Sequence, residues 1–189
     1  MPGKILHLKL DLDEVVLTFL PKVIREFMKL SGAAAGLAGT EFTLEVDISG
    51  EKYRFIVKDG ADFDVARGGL EKPLVSVSIS MEDMEKLVLM KNIDMLLGIQ
   101  RKLTRQGFET LSRIRGTAVF DLTNEDNGKS EIRVRFNGAD APKAKFLMGI
   151  DQARSVIMGQ ENPVNLFMSG RLKIEGDMAF AMSVQPLFN

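Results

Sequence analysis

Cysteine and tryptophan are absent from this 189-residue chain, and histidine and tyrosine occur once each. Without cysteine there can be no disulfide, no thiolate metal site and no cysteine nucleophile. No disulfide framework suggests secretion, so we expect a cytoplasmic protein. The N-terminus lacks the pattern of a signal peptide, and the apolar runs carry charges well before the ~18 residues of a membrane-spanning helix. The sequence therefore predicts a soluble protein.

A charge of one sign is also lacking, because the formal net charge is −1. No overall field would recruit nucleic acid, and only Phe108 is available for base stacking in the most basic segment, so we expect no nucleic-acid partner. In that segment, between residues 100 and 115, Glu109 is the only acidic residue. The segment is either a solvated helix face or a surface that rests transiently on anionic lipid headgroups. The candidates for membrane contact are Arg101, Lys102 and Arg105.

The usual equipment of an enzyme is missing too. His7 has no partners nearby in sequence that would form a triad, and no pair of carboxylates is spaced for acid–base catalysis. Asp59 and Glu71 have the spacing of the ends of a calcium loop, but Ala61 and Phe63 stand where that loop needs oxygen ligands. We therefore predict no catalytic residues, no metal site and no cofactor.

What the chain does have is a large supply of flexible apolar side chains. It contains 12 phenylalanines and 11 methionines. Methionine is unbranched and adapts to irregular shapes, so a methionine-rich interior suits either gap filling in a core or a cavity that accepts variable ligands. Composition favours a binding cavity without deciding between these two interpretations.

The periodicity of the apolar residues predicts an α+β fold. Asp11 begins a helix that Pro21 kinks or divides, and Ser80 with Asp83 begins another that runs to about residue 97. A further helical segment is expected over residues 99–115, broken near Gly107. Alternating segments predict strands at 41–48, 52–58, 63–66, 74–80, 117–122, 131–136, 145–148 and 171–175, with helices at 150–158 and after Pro163.

The predicted elements repeat. A strand–turn–strand unit that ends in Asp59-Gly60 recurs as one that ends in Asn137-Gly138, and the segment from Met81 aligns with the segment from Ile150. We interpret the chain as two imperfect copies of one unit, residues 1–105 and 106–189, which can pack as one globule. The first copy has the fuller set of early strands and the second has the clear closing strand.

The run from Asn165 to Phe188 combines a helix end, a glycine break, the strand Arg171-Leu-Lys-Ile-Glu-Gly-Asp and a methionine-rich segment. It resembles the closing pattern of the sterol carrier protein 2 (SCP-2) family. The resemblance implies a mixed, mainly antiparallel sheet covered by helices, with a long apolar molecule held between helices and sheet. Two features depart from the family: the tandem arrangement, and a basic segment that replaces the closing strand in the first copy.

The resemblance thus implies a non-catalytic protein that binds or transfers a hydrophobic ligand such as a fatty acyl chain, sterol, phospholipid or isoprenoid. An alternative is a ligand-free module that acts in oligomerisation, for example as a homodimer, or as an accessory factor to an enzyme of a lipid or quinone pathway. A third possibility, an enzyme acting on an acyl or prenyl substrate, has no convincing carboxylate to support it. The candidate ligand-binding residues are Phe167, Met168, Met178, Phe180 and Met182 in the second copy and Leu87, Met90 and Leu97 in the first.

Overall fold

Alternating apolar residues form strands at each of the eight predicted places, with bounds within two residues of those expected. The computed structural model describes residues 11–86, Met95 and residues 103–188. The strands are β1 (Glu41–Ile48), β2 (Glu51–Lys58), β3 (Asp62–Arg67), β4 (Val75–Ile79), β5 (Gly116–Thr123), β6 (Lys129–Phe136), β7 (Lys143–Gly149) and β8 (Lys173–Gly176). They form one sheet in the order β3-β2-β1-β4-β6-β5-β7-β8. Only the pairs β1–β4 and β5–β7 are parallel, so the sheet is mixed and mainly antiparallel.

Of the six helices in the described residues, four begin at a capping side chain, from Ser80, Thr104, Asn162 or Asp177. The six helices are α1 (Leu20–Ser31), α2 (Met81–Met84), α3 (Arg105–Arg113), α4 (Ile150–Ile157), α5 (Pro163–Met168) and α6 (Met178–Val184). The Ser80 hydroxyl accepts a hydrogen bond from the Asp83 N–H at 3.0 Å, which confirms the predicted start of α2. A π-helical segment, Glu14–Phe19, precedes α1, so two helical segments abut next to Pro21 as expected. Short 3₁₀ segments cover Ala33–Leu37 and Gln185–Phe188.

One prediction about the helices is wrong. Gly107 does not break the segment that contains it, because α3 runs through it to Arg113. Thr104 precedes the helix, and its hydroxyl accepts the Gly107 N–H at 3.0 Å. Gly107 therefore occupies the first turn, where a capped N–H offsets the low helix propensity of glycine. The part of the predicted segment before Leu103 lies outside the described residues.

The sheet has two unlike faces. Strand residues that point to one face, such as Ile48, Phe136 and Phe146, belong to apolar clusters that also contain residues of the helices. The alternate residues, such as Glu45, Arg135 and Lys143, point the other way, and of the described strand residues none on this second face belongs to an apolar cluster. We call this second surface the open face. A sheet with one packed and one solvated face is common among antiparallel architectures.

The packed face carries three clusters. The first joins strand residues of both halves of the chain, including Ile48, Ile79 and Leu122, to Val16 and Ile150. The second is built almost entirely from the C-terminal half and contains Leu166, Phe180 and Val184. The third places Met28 and Leu37 against Phe42 and Val57. The second cluster supports the candidate functional site, which lies at its edge.

Candidate functional site

An open groove of about 470 Å³ lies between the end of α3 and the helix α6. Its volume falls within the range of small-molecule sites, roughly 300–1,000 Å³. The groove is lined by Thr110, Arg113, Ile114, Arg115, Pro142, Phe180 and Ser183. Two residue types dominate this list: apolar residues that form the floor and arginines that form the rim.

The floor is fixed in place by buried side chains. Helix α6 begins at Asp177, whose carboxylate accepts the Phe180 N–H at 2.7 Å, so the position of Phe180 along the helix is set by a charged cap. The Phe180 ring is 4% exposed and packs edge-on against Phe136, with 6.3 Å between ring centroids. Ile114, which follows α3, is 5% exposed and belongs to the same cluster. Two rigid apolar side chains therefore form the bottom of the groove.

Gly116, at the start of β5, allows the sheet to approach the floor closely. Its φ is +134°, a conformation that side chains rarely adopt. A Cβ on this residue would lie 2.5 Å from the Pro142 carbonyl oxygen and 2.7 Å from the Phe180 ring. Both contacts are too short for real atoms, so a larger residue would push Pro142 and Phe180 apart. The groove in its present shape requires glycine at this position.

The end of α3 is held by a side chain of the sheet. Asn137 follows β6 and donates from its side-chain nitrogen to the carbonyl oxygens of Leu111 at 2.8 Å and Ile114 at 2.7 Å. These two bonds satisfy carbonyl groups that a helix end leaves without a partner. They also fix the direction in which the chain leaves the helix, and so the positions of Arg113 and Arg115 on either side of Ile114.

The rim is positively charged. Arg113 and Arg115 are exposed, and neither guanidinium forms an ion pair with a carboxylate of the described residues. The hydroxyls of Thr110 and Ser183 donate to the carbonyl oxygens of Gln106 and Phe180, at 2.8 and 2.7 Å, so their own oxygens remain available as acceptors. The groove therefore combines an apolar floor with two cations at its edge, an arrangement suited to an amphipathic anion.

The residues predicted to line a ligand cavity are distributed over two surfaces. Phe180 lies in the groove. The other four described candidates point to solvent on α5 and α6: Phe167 is 41% exposed, Met168 78%, Met178 43% and Met182 53%. Leu166 and Val184, which the prediction did not include, are fully buried on the inner sides of these two helices. Leu87, Met90 and Leu97 lie outside the described residues.

Of the three predicted membrane-contact residues, the structure describes only Arg105. Arg101 and Lys102 lie outside the described residues. Arg105 is exposed and donates from Nε to the Gly36 carbonyl oxygen at 3.2 Å and from Nη2 to the Ala38 carbonyl oxygen. Its guanidinium therefore fastens α3 to the loop that precedes β1. Within residues 11–86, Met95 and 103–188, no helix has the length and apolarity needed to cross a membrane.

Several residues of the groove were not singled out from the sequence. Arg113 and Arg115 were noted only as part of the basic segment, and Ile114, Gly116 and Pro142 were not considered. The Arg-Ile-Arg sequence directly before a strand was the available signal, since a single apolar residue between two cations at a helix end must point inward.

No group of three or more potential metal ligands is found among the described residues.

The sequence and the fold were compared with known proteins. A search of curated protein sequences finds no match for this chain. A sterol carrier protein 2 of Yarrowia lipolytica, in its apo form, is 19% identical over 50% of this chain and 92% of its own length, with a TM-score of 0.39. Sterol carrier protein domain 2 of Helicoverpa armigera is 22% identical over 55% of this chain and 87% of its own, with a TM-score of 0.41.

A ubiquinone synthesis protein described as UbiJ-SCP2 is 14% identical over 99% of this chain and 92% of its own, with a TM-score of 0.30. The TM-scores of all three structures are low, so we infer nothing about this chain from them beyond the similarity itself. The mixed, mainly antiparallel sheet with helices on one face confirms the predicted SCP2-like α+β fold. The model of the SCP-2 sterol transfer family matches residues 99–189, which include every residue that lines the groove. The C-terminal half of the chain, residues 99–189, therefore matches the SCP-2 family.

Proposed function

We propose that this protein binds an amphipathic lipid with an anionic headgroup in the groove between α3 and α6. The apolar chain lies on Phe180 and Ile114, and the headgroup pairs with Arg113 and Arg115. The protein binds the molecule without transforming it. The observation that carries this proposal is the pair of guanidinium groups, free of carboxylates among the described residues, directly above a buried apolar floor.

Burial of the apolar chain supplies most of the affinity in this scheme. Removing about 200 Å² of acyl surface from water contributes about 5 kcal/mol at ~25 cal/mol per Å². A charge-assisted hydrogen bond from each guanidinium to a carboxylate or phosphate adds about 1.5–3 kcal/mol. The arginines also make the groove selective for an anionic lipid, because an uncharged alkane would leave the cationic rim without a partner.

The match of residues 99–189 to the SCP-2 sterol transfer family supports lipid binding or transfer in general. The position of the groove within the matching residues 99–189 agrees with that role. The identity of the lipid is left to experiment. Extraction of the purified protein with organic solvent, followed by mass spectrometry, is expected to release a fatty acid or phospholipid in near-stoichiometric amount.

A pair of substitutions on neighbouring residues of α6 tests which surface binds. Ser183 lines the groove and Met182 points to solvent. Ser183→Trp would fill the groove while leaving the core intact, and we expect it to weaken binding of a fluorescent fatty acid about tenfold or more, because the bulky ring occupies the space of the acyl chain. Met182→Asp is expected to bind like the parent. If the earlier prediction of Met182 and Phe167 as walls is correct instead, Met182→Asp or Phe167→Asp will abolish binding and Ser183→Trp will not.

The headgroup contacts need a separate test. Arg113→Gln with Arg115→Gln removes two bonds of about 1.5–3 kcal/mol each, so it is expected to reduce affinity for a fluorescent fatty acid about 100-fold or more, while a neutral fluorescent acyl alcohol binds nearly as before. Lys173→Gln on β8 removes one positive charge from an exposed site outside the groove and is the matched control. Equal affinities of the folded double variant and the parent for the fatty acid would remove the arginines from the site.

A second candidate function follows from the exposed apolar side chains on α5 and α6. Met168 and Met182 expose more than half of their surface. Such residues can contact another protein, so the chain could serve as a ligand-free module in a homodimer or beside an enzyme. Light scattering coupled to gel filtration, together with dye uptake, separates the two functions: a dimer without dye uptake favours the module, and a lipid-loaded monomer favours the carrier.

A further inference from the structure

The open face of the sheet contains a second hollow, of about 280 Å³, that the groove does not explain. It lies where β4, β6, β5 and β7 run side by side. Its lining is polar and consists of Ser76, Ser78, Thr117, Arg133, Arg135, Asp140 and Lys143. In contrast to the groove, it has no phenylalanine, leucine or methionine in its wall.

The sheet register brings these side chains together. Ser76 lies opposite Arg135, and Ser78 lies opposite Arg133, across the β4–β6 pair. On the other side of β6, Thr117 lies opposite Arg135, and Lys143 lies opposite Thr117. Directly paired side chains on one face are roughly 5 Å apart. Arginine, serine, threonine and lysine side chains of four adjacent strands therefore point into one space.

The charges in this space do not cancel. Three cations and one carboxylate line it, so the formal charge is 3 − 1 = +2. Arg135 Nη1 pairs with Asp140 at 3.3 Å and Arg133 Nη2 with Glu131 at 3.2 Å, while Lys143 has no carboxylate partner among the described residues. Arg133 and Arg135 lie two residues apart on the same strand, about 7 Å along it, so their charges repel each other. An anion between them would relieve that repulsion.

Some hydrogen-bond donors in the hollow also lack an acceptor among the described residues. The Nε of Arg135 is buried and has no acceptor among the described residues. The Ser76 and Ser78 hydroxyls form no hydrogen bond to the described part of the chain either. Glu45, the next residue along the row beyond Ser76, lies close enough to interact with the charge of Arg135, but its carboxylate binds Lys52 and the Leu70 N–H and forms no hydrogen bond with these donors. Ser78 is exposed, and of these groups only the Arg135 Nε is a buried donor without a partner. Buried donors normally find a partner, so the Arg135 Nε indicates a missing acceptor.

We propose that this hollow binds a phosphate-type oxyanion. Arg133 and Arg135 provide planar guanidinium groups that match phosphate oxygens, Lys143 provides a point charge, and the two serines provide neutral donors. The site is separate from the lipid groove: Pro142 lines the groove and Lys143 lines the hollow, but the alternate residue Ala144 belongs to the packed face. The two sites therefore lie at the same end of β7 on opposite sides of the sheet.

The test is a titration of the isotope-labelled full chain with inorganic phosphate at constant ionic strength, followed by NMR. We expect saturable shifts of the Ser76, Ser78 and Thr117 amides, and affinities about tenfold weaker for Arg135→Gln and for Lys143→Gln. Arg54→Gln is the matched control. Arg54 lies in the same row of the sheet, also has a buried Nε without a partner and also pairs with one carboxylate, Asp64, but it is outside the hollow.

Two results would overturn the proposal: shifts that do not saturate, or a loss of affinity in Arg54→Gln as large as in Arg135→Gln. Vesicles identify the source of the phosphate. Sedimentation with phosphatidylglycerol vesicles, reduced by Lys143→Gln and absent with phosphatidylcholine alone, would support a lipid headgroup. Binding of inorganic phosphate without vesicle binding would support a small phosphorylated molecule.

Discussion

In the N-terminal half of the sheet, β1 pairs antiparallel with β2 and parallel with β4, and in the C-terminal half, β5 pairs antiparallel with β6 and parallel with β7. The halves differ at their edges. The first adds β3 beside β2, and the second adds β8 beside β7. Each half thus lacks one strand that the other has. This leaves one free edge on β4 and one on β6, and these two edges pair with each other.

This difference shows how two incomplete units can form one sheet. Beside β4, β6 occupies the antiparallel position that β8 has beside β7. Beside β6, β4 occupies the antiparallel position that β3 has beside β2. An exposed strand edge favours aggregation, so pairing the two edges removes a liability from both halves. The pattern supports the hypothesis of two copies, 1–105 and 106–189, packed as one globule.

The largest expected effect tests whether the halves unfold together. Leu166 is fully buried in the cluster of the C-terminal half, whereas Tyr53, the only tyrosine, is buried in the N-terminal half. Leu166→Ala is expected to reduce the free energy of unfolding by about 2–5 kcal/mol through the lost contacts and the cavity. Because β4 and β6 join the halves, the urea midpoint reported by Tyr53 fluorescence should fall as much as the midpoint from far-UV circular dichroism.

Independent halves would give another result. The Tyr53 midpoint would then stay at the parent value while the circular dichroism signal separated into two transitions. Ile48→Ala is the matched substitution in the N-terminal half, since Ile48 is also fully buried. It should move both signals to the same extent if the sheet is one cooperative unit.

A second, smaller effect concerns one turn in each half, at Asp59 and at Asn137. In each turn this side chain forms hydrogen bonds with the backbone of a segment earlier in the chain. Asp59 has a φ of +54° and its carboxylate accepts the Gly39 N–H at 2.6 Å, whereas Asn137 has a φ of +50° and donates to two carbonyl oxygens. Asn137→Asp would place a carboxylate against those carbonyls and should reduce the free energy of unfolding by about 1–3 kcal/mol. In Asp59→Asn an amide oxygen can still accept, so the loss should stay below about 1 kcal/mol.

Urea unfolding of the two single variants measures this asymmetry. Asparagine and aspartate both adopt the left-handed backbone more readily than most residues, so the difference reports mainly the direction of the hydrogen bonds. Equal losses in the two variants would mean that the turns are held by backbone contacts and not by their side chains. Asn137→Asp should also weaken fatty-acid binding, because the end of α3 carries the rim of the groove.

Local features of both halves were predictable from the sequence, and their assembly was not. Among the residues that the structure describes, the alternation of apolar residues located every strand, and the Ser80 cap located a helix start, because both depend on neighbouring residues. The β4–β6 pair joins residues 75–79 to residues 132–136. Alternation specifies which face of a strand is apolar but not which strand lies beside it. The pairing of β4 with β6 could therefore not be predicted from the alternation of apolar residues.

The candidate site was predicted less well than the fold for a related reason. The segment after Asp177 is a helix, so Phe180, Ala181 and Val184 share its inner side while Met178 and Met182 face outward. The sequence did not show that this segment is helical. All its methionines and phenylalanines were therefore equally good candidates to line a ligand cavity. The groove itself depends on Gly116 and Pro142, whose importance arises from contacts with residues about 26–64 positions away in the chain.

The smallest effect is a difference in alkaline stability between the halves. Burial raises the pKa of Tyr53 to about 12, helped by the hydrogen bond that its hydroxyl donates to Asp13 at 2.9 Å. An exposed tyrosine has a pKa of 10.0, so the unfolded chain loses this proton first as the pH rises. Between these two values the folded state holds more protons than the unfolded state, and stability falls with increasing pH. Below pH 10 the contribution of Tyr53 is fully present.

Tyr53→Phe should therefore cost about 0.5–1.5 kcal/mol at neutral pH and progressively less between pH 10 and about 12. The C-terminal half provides the control: hydrogen bonds from Lys145 and Lys129 hold the pKa of Asp121 below its usual value. Asp121→Asn should therefore be less stable than the parent at neutral pH, and this difference should shrink towards acid, because the parent loses the contribution of Asp121 as the carboxylate is protonated. Thermal unfolding of both variants and the parent from acid to alkaline pH measures the two curves. Parallel curves for Tyr53→Phe and the parent above pH 10 would show that the tyrosine proton is not coupled to folding, and the N-terminal half would then have no alkaline sensitivity of its own.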